Sequence, residues 1–565
     1  MEKIAKHVLA VAAVGILVLL GLTGGAFSQG VTYERLLNAD KEPHNWLTYY
    51  GSYKGWRYSS LNQINTTNVK RLVVKWAFPT GPDKGMQATP IVVDGIMYLA
   101  NAQNSVFALD AANGRLLWRF NYELPEEKKM PMSAIWGRQS RGVSVANGKV
   151  LMGTLDSYLV AVDAKTGKLL WKTPAADAEE GRGFTSPPVI VKDKAIVGLA
   201  TLEFPGRGFI DAYDIETGKL SWRFYTIPGP GERGNETWGP GDAWKYGCAA
   251  AWLPATYDPE LNTVYMGTGQ PCPDHDGDVR PGDNLYSDSI IALDPDTGSM
   301  KWYFQTIPHD VWDLDTTNEL VLVDTEIQRK PVKALFQANK NGYFYALDRT
   351  DGRLLYATPF VSRINWTKGL DPRGRPVPGV APTPEGAVVC PTVAGGKSWN
   401  HMAYSPQRGY VYIPATDMCV EVKVVRVKPR TGVLYVGGEW GNFSEHDPQG
   451  ALVAIDVKTG EKKWEYRAKY PMPSSVLATA GGLVFTGDLE GNALAFDDAN
   501  GVVLWKFNTG SGHRGSPIAY AVNGKQYIAV PSGLAPPWGP AGWIAPKLGD
   551  MPQTSTLFVF GLFEE

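Results

Sequence analysis

Short runs of alternating apolar and polar residues, such as "PIVVDGIMYLAN" (90–101), recur along the chain and are cut by Gly-, Asn- and Asp-bearing turns. Alternation with a period of two is the signature of a half-buried strand. One eleven-residue unit, Ala-x-Asp-x-x-x-Gly-x-x-x-Trp, returns seven times: at 108–118, 161–171, 212–222, 292–302, 346–356 (ending in Tyr356), 454–464 and 495–505. Each copy predicts a strand, an Asx-Gly or Thr-Gly turn, and a second strand. With the alternating pair ahead of it, each unit supplies four short strands, the content of a propeller blade. Copies start 41–54 residues apart, except for gaps of 80 and 108. The longer gap is expected to hold a degenerate blade around "HMAYSPQRGYVYIPA" (401–415), and the shorter one an insertion. The pattern therefore predicts an all-β, eight-bladed β-propeller.

Composition sharpens this picture in two respects. The 62 glycines, 41 prolines and 19 tryptophans in 565 residues fit many turns and a large ring at the same place in every blade. Such a ring, lying between neighbouring blades, buries roughly 150–250 Å², so the repeat tryptophans are assigned to the fold. A formal charge of −2 gives no support for nucleic-acid binding, which needs a basic surface.

The N-terminus reads as a processing segment. Lys3 and Lys6 precede the apolar run "VLAVAAVGILVLL", and small residues follow at Ala26 and Ser28. We read residues 1–28 as a cleavable signal peptide and 29–565 as a single propeller. The short apolar run argues against a retained anchor, so no stable membrane span is expected after processing, and the location is expected to be periplasmic. Four cysteines in an exported chain can be oxidised. Cys390 with Cys419 is the favoured pair, with Cys248 and Cys272 as a second; sequence alone does not fix connectivity.

The stretch "TIPHDVWDLDTTNE" (306–319) carries the densest chemistry. Asp310, Asp313 and Asp315 lie within six positions, and crowded carboxylates repel unless a positive charge sits among them. In an extended segment residues two apart point the same way, so Asp313 and Asp315 can address one cation. Asp310 and His309 are assigned to structure.

Together with "INTTNVKRLVVKWAF" (64–78) and "GSPIAYAVNGKQYIAVPSG" (515–533), the repeat resembles the tryptophan-docking motif of the eight-bladed quinoprotein alcohol dehydrogenases. That resemblance spans essentially the whole chain after the N-terminal segment. It implies pyrroloquinoline quinone (PQQ) and a metal ion on the propeller axis, and oxidation of an alcohol to an aldehyde. "PHDVWDLD" resembles the family's catalytic segment, which makes Asp313 the general base and a metal ligand. Asp315 resembles the additional aspartate of the lanthanide-dependent branch; calcium-dependent relatives usually have a small neutral residue there. Attraction scales with charge, so an added anionic donor favours a lanthanide over Ca2+.

By the same resemblance Glu203, in "GLATLEFPGRGFIDAYD", is a metal ligand. Gln270, in "YMGTGQPCPDHDGDVRPGDNLY", stands where relatives have an asparagine ligand, and its amide is one methylene longer. Trp252 is implied as the stacking floor under PQQ, Arg141 and Thr185 as partners of its carboxylates, and Lys340 as the basic residue at the quinone oxygens. Gln87 occupies a cofactor-facing position where relatives often have glutamate. Other departures are Ile135 and Trp136 in place of adjacent cysteines, Ala200 for serine, Ser398 for asparagine and Pro473 for tryptophan. These swaps raise an alternative: a non-catalytic propeller acting as a binding or assembly scaffold. Against it stand the intact acidic segment and the set Glu203, Trp252, Arg141 and Lys340. The insertion ahead of Trp252 and the loop "SGLAPPWGPAGWIAPKLGD" are expected to form the substrate entrance. No Cys-x-x-Cys-His haem motif is present, so electrons are expected to leave to a separate cytochrome c. Homodimers are common in that family, so a homodimer is a further expectation.

Overall fold

The computed structural model describes residues 30–563 apart from 82–84, 202, 445–448, 535–547 and 549–550. The signal-peptide assignment and most of the C-terminal entrance loop lie outside these residues.

Eight four-stranded antiparallel units form the blades. The first strands of blades one to five begin at Ile91, Ser144, Val189, Thr256 and Val321. Blade six joins Ala403–Ser405, Tyr410–Thr416, Gly450–Asp456 and Lys462–Ala468. Blade seven runs from Leu477 to Asn508, and Tyr58–Ser59 adds a parallel strand at its inner edge. Blade eight is split between the chain ends: Leu72–Pro79 pairs with Thr556–Leu562, beside Lys525–Ser532 and Ile518–Val522. The segment 401–415 is therefore not a separate degenerate blade. It supplies the first two strands of blade six, whose outer pair is the sixth repeat copy. The eighth blade left no full repeat because its two outer strands come from opposite termini.

The repeat residues explain how the ring is locked. Aspartate caps the turn: Asp163 Oδ1 accepts the Thr166 amide at 2.8 Å, and Asp214 Oδ1 that of Thr217 at 2.7 Å. The tryptophan of one blade then lies flat on the turn glycine of the next. Gly167 has φ +70°, and a Cβ there would sit 2.6 Å from the Trp118 ring, so both backbone and space demand glycine. Trp118 Nε1 also donates to the Ala164 carbonyl at 3.1 Å. Trp76, from the N-terminal strand, docks in the same way on Gly114, and Tyr356 on Gly460. The last seam is closed by Trp505 meeting Phe560 edge-on at 5.0 Å.

In an antiparallel blade the start of the first strand, the link between the second and third, and the end of the fourth share one face. The opposite face carries the repeat turns. A three-stranded cap (Ala387–Val389, Val420–Val424, Gly438–Phe443) occupies the gap around blade six. The Cys390–Cys419 disulfide staples it, and Cys248–Cys272 forms the second bridge.

Candidate active site

All the candidate site residues fall on segments of the first face. Gln87, Arg141, Thr185 and Trp252 lie three or four residues ahead of the first strands of blades one to four. Backbone bonds join them around the axis. The Thr89 amide donates to the Arg141 carbonyl at 2.9 Å, and the Arg141 amide to the Thr185 carbonyl at 3.0 Å. The Thr185 and Ser186 hydroxyls donate to the Trp252 carbonyl at 3.3 and 2.7 Å.

The Arg141 guanidinium is buried between two indoles, 4.9 Å from the Trp252 ring and 5.2 Å from that of Trp399. Burial pushes its pKa down to about 10. Arg514 lies 5.7 Å from the Trp399 ring, its pKa brought down to about 9 by burial and by Arg141. The Arg141 guanidinium donates to Gln139 Oε1 at 3.1 Å and, among the described residues, to no carboxylate, while Arg141 Nε, Gln87 Oε1 and Trp399 Nε1 have no hydrogen-bond partner. Two buried cations beside flat aromatic walls and orphaned polar atoms fit a planar polycarboxylate such as PQQ.

Beside this floor lies a buried acidic group. Glu203 comes from the link between the second and third strands of blade three, and Gln270 from the corresponding link of blade four. Asp313 and Asp315 come from the segment between blades four and five, and Lys340 from a turn of blade five. Lys340 Nζ bridges Asp313 Oδ1 at 2.7 Å and Asp315 Oδ2 at 2.8 Å. The Gln270 amide nitrogen donates to Glu203 Oε1 at 3.1 Å, and its backbone amide to Asp315 Oδ1 at 3.1 Å. Glu203 and Asp313 hold φ of +66° and +63°, a conformation non-glycine residues keep only where surroundings enforce it. For Asp313 the enforcement is visible: Asp310 accepts the amides of Trp312 at 2.7 Å and Leu314 at 2.8 Å, pinning the turn from both sides.

One oxygen each from Glu203, Asp274 and Asp313 lie within 4.8 Å of one another. Burial, then Asp315, pushes Glu203 up to about 7, and burial raises Asp313 well above the usual carboxylate range. Burial opposes the Lys340 charge, but Asp313 and Asp315 outweigh it and hold the ammonium above its ordinary value. The cluster carries more negative charge than one lysine offsets, and its oxygens suit a hard cation.

Sequence reading missed Asp274, Trp399 and Arg514. Asp274 and Arg514 sit in irregular loops with no repeat pattern, whereas a glycine-flanked basic residue in "SGHRGSP" was a signal available for Arg514. Trp136 lies beside Glu203 and tilts against Trp440, with ring centroids 6.1 Å apart. It thus neighbours a carboxylate of the acidic group, while Ile135 is exposed.

The family profile described as "Glucose/ethanol/alcohol dehydrogenase, beta-propeller domain" matches residues 46–361. The quinoprotein alcohol dehydrogenase PedH of Pseudomonas putida is 38% identical, over 97% of this chain and 96% of its own. The chain belongs to the quinoprotein alcohol dehydrogenases.

The lanthanide-dependent methanol dehydrogenase of Methylacidiphilum fumariolicum is 37% identical over 94% of this chain and 90% of its own. Among solved structures, a europium-containing methanol dehydrogenase superposes with a TM-score of 0.87 at 35% identity, covering 94% of this chain and all of that one. A profile described as "Outer membrane protein assembly factor BamB" matches 287–526, a region of the shared repeat. The full-length relatives are dehydrogenases, and the scaffold alternative finds no support. This quinoprotein catalyses PQQ-dependent alcohol oxidation, with electrons leaving to an acceptor outside the chain. Among its described residues, no helix is long and apolar enough to cross a membrane.

A second buried network supports the floor from the blade-five and blade-six side. Glu319 Oε2 accepts from Lys397 Nζ at 2.7 Å and lies 3.2 Å from His401 Nδ1, while His401 Nε2 meets the Tyr49 hydroxyl at 3.0 Å. Burial pushes His401 down from 6.5 to about 4, against the pull of Glu319. Between those values the unfolded chain binds a proton that the folded chain refuses, so stability falls as pH drops from about 6.5 towards 4. One such histidine costs about 3 kcal/mol at the acid end, and His275, also pushed down to about 4, acts in the same direction. Buried carboxylates such as Glu203 and Asp313, raised in the folded state, act with the opposite sign in the same window, so the decline is read as a difference. The melting temperature of wild type relative to His401→Gln is expected to fall from pH 7 to 4, and a constant difference contradicts it.

Proposed function

We propose that this dehydrogenase works in the periplasm, oxidises an alcohol to an aldehyde with PQQ and a lanthanide ion, and delivers its electrons to a separate cytochrome c. Residues 1–28 are the proposed signal peptide, and 29–565 the propeller. PQQ is held over Trp252 by Arg141, Thr185 and Gln87, with Lys340 at its quinone oxygens. Glu203, Asp313 and Asp315 hold the metal, and Gln270 joins them through its amide oxygen, its nitrogen being directed to Glu203. When bound, PQQ would supply a two-electron hydride acceptor and the metal a Lewis acid. The chain's own part is to orient and to move a proton. Asp313 takes the hydroxyl proton as general base, and its strained turn fixes the direction of that carboxylate. Lys340 stabilises developing negative charge. Burial of the site excludes water, which strengthens each of these interactions.

The observation that carries this reading is the buried group of carboxylates bracketing Lys340 beside the Arg141–Trp252 floor. Asp315→Ala tests the choice of ion. Dye-linked alcohol oxidation supported by La3+ is expected to fall more steeply than that supported by Ca2+. Equal loss with both ions contradicts the lanthanide assignment.

A further inference from the structure

Asp274 lies in the loop joining the second and third strands of blade four (268–288) and is fully buried. It is absent from the ligand set that the family resemblance implies. One of its oxygens lies within 4.8 Å of those of Glu203 and Asp313. Asp274 Oδ2 and Glu203 Oε2 are both buried without a hydrogen-bond partner. A buried carboxylate oxygen left in that state is costly unless a cation completes it.

The neighbouring groups show which oxygens remain for such a cation. Asp315 already accepts one hydrogen bond on each oxygen, from Lys340 and from the Gln270 backbone amide, which leaves it one lone pair on each for a cation. Gln270 turns its side-chain nitrogen to Glu203. The unoccupied anionic oxygens that converge thus include one from Asp274. Its position is also rigid. Cys272, two residues earlier, is bridged to Cys248. The buried Arg280 guanidinium donates to the Pro273 carbonyl at 3.0 and 2.9 Å and to that of Asp274 at 3.2 Å. His275, the next residue, is clamped between the Val311 carbonyl at 2.9 Å and Trp440 Nε1 at 2.8 Å. An indole N–H only donates, so His275 Nε2 accepts and Nδ1–H donates to Val311. Rigid support of this kind is what orients a ligand.

We propose that Asp274 is a direct ligand of the metal in this enzyme and supplies the charge that matches the site to a trivalent ion. Glu203, Asp274, Asp313 and Asp315 set four carboxylates against one ammonium, Lys340, leaving three negative charges when all are ionised, with the buried Arg280 behind Asp274 offset by Asp310. Without Asp274 two remain, which a divalent ion offsets. The charge-matching half rests on the lanthanide reading above; the ligand half does not.

The test uses the full chain with PQQ, loaded with Eu3+, La3+ or Ca2+. Luminescence decay of bound Eu3+ in H2O and D2O counts the waters on the ion, and Asp274→Ala is expected to carry at least one more than wild type. In competition binding, Asp274→Asn is expected to reduce the preference for La3+ over Ca2+ about tenfold or more, as removal of a unit charge facing the ion requires. Thermal unfolding of Asp274→Ala without metal is expected to be unimpaired, since it removes a buried orphan oxygen, and Asp274→Asn keeps the shape while removing the buried charge. Unchanged water count overturns the ligand assignment. An unchanged ion preference in Asp274→Asn, with wild type favouring La3+, overturns the charge-matching role. Wild type that binds both ions alike overturns the lanthanide reading and charge matching together, while the water count still decides whether Asp274 touches the metal.

Discussion

Asp313→Asn is expected to lower kcat by about 10²–10⁴-fold, the range spanned by positioned general bases. The amide keeps the shape and one oxygen but also removes a charge facing the proposed metal and Lys340, so kcat is compared at saturating metal, where the remaining loss reports the proton-accepting function. It cannot be attributed to a collapsed turn, because Asp310 holds that turn through the amides of Trp312 and Leu314. PQQ affinity is expected to stay within a few-fold of wild type, since the proposed cofactor contacts Gln87, Arg141, Thr185 and Trp252 lie on blades one to four. Steady-state kinetics with a dye acceptor, alongside a PQQ titration, separate the two quantities. An Asp313→Asn enzyme with near-normal kcat removes Asp313 from the chemistry.

Arg141→Met is expected to weaken PQQ binding by about 10–100-fold, the loss of one charge-assisted carboxylate contact worth about 1.5–3 kcal/mol. The same substitution is expected to leave the cofactor-free protein as stable as wild type or more so. Arg141 is buried between Trp252 and Trp399, hydrogen-bonded to Gln139 but with no carboxylate partner among the described residues, and a desolvated charge without a counter-charge is a cost to folding. A purely structural arginine predicts the opposite pair of results: a lower melting temperature without PQQ and unchanged affinity with it. Fluorescence quenching of the floor tryptophans by PQQ, together with melting curves of both forms, distinguishes the cases.

The blades were legible because each repeats the same three constraints: a capping aspartate, a turn glycine and a large docking ring. Blade eight escaped because its docking ring, Trp76, and the rest of its strands stand at opposite ends of the chain, so no local window contains the unit. Residues 401–415 were misplaced for a related reason. Their strands pair with 450–456 only after the cap has intervened, and a local reading of "HMAYSPQRGYVYIPA" has no means of seeing that partner. In the site, Asp313 and Asp315 announced themselves by crowding three aspartates into one short segment. Glu203, Trp252 and Arg141 became visible only through the family resemblance. Asp274 shares the pocket with Glu203 and Asp313 through tertiary proximity alone, brought there by a bridged loop whose sequence contains several other acidic residues with nothing to rank them. The contact of Trp136 with Glu203 is likewise a product of the fold: the short helix Pro131–Trp136 belongs to the link between blades one and two, far from Glu203 in sequence.

The account rests on one ion seated among Glu203, Asp274 and Asp313 with the quinone on the Trp252 floor beside it. Crystals grown with PQQ and La3+, measured near a lanthanum absorption edge, test this directly. A single strong anomalous peak within coordination distance of those carboxylate oxygens, next to PQQ density over Trp252, is the predicted result. Lys340 still bridging Asp313 and Asp315, with no anomalous peak and no quinone, contradicts it.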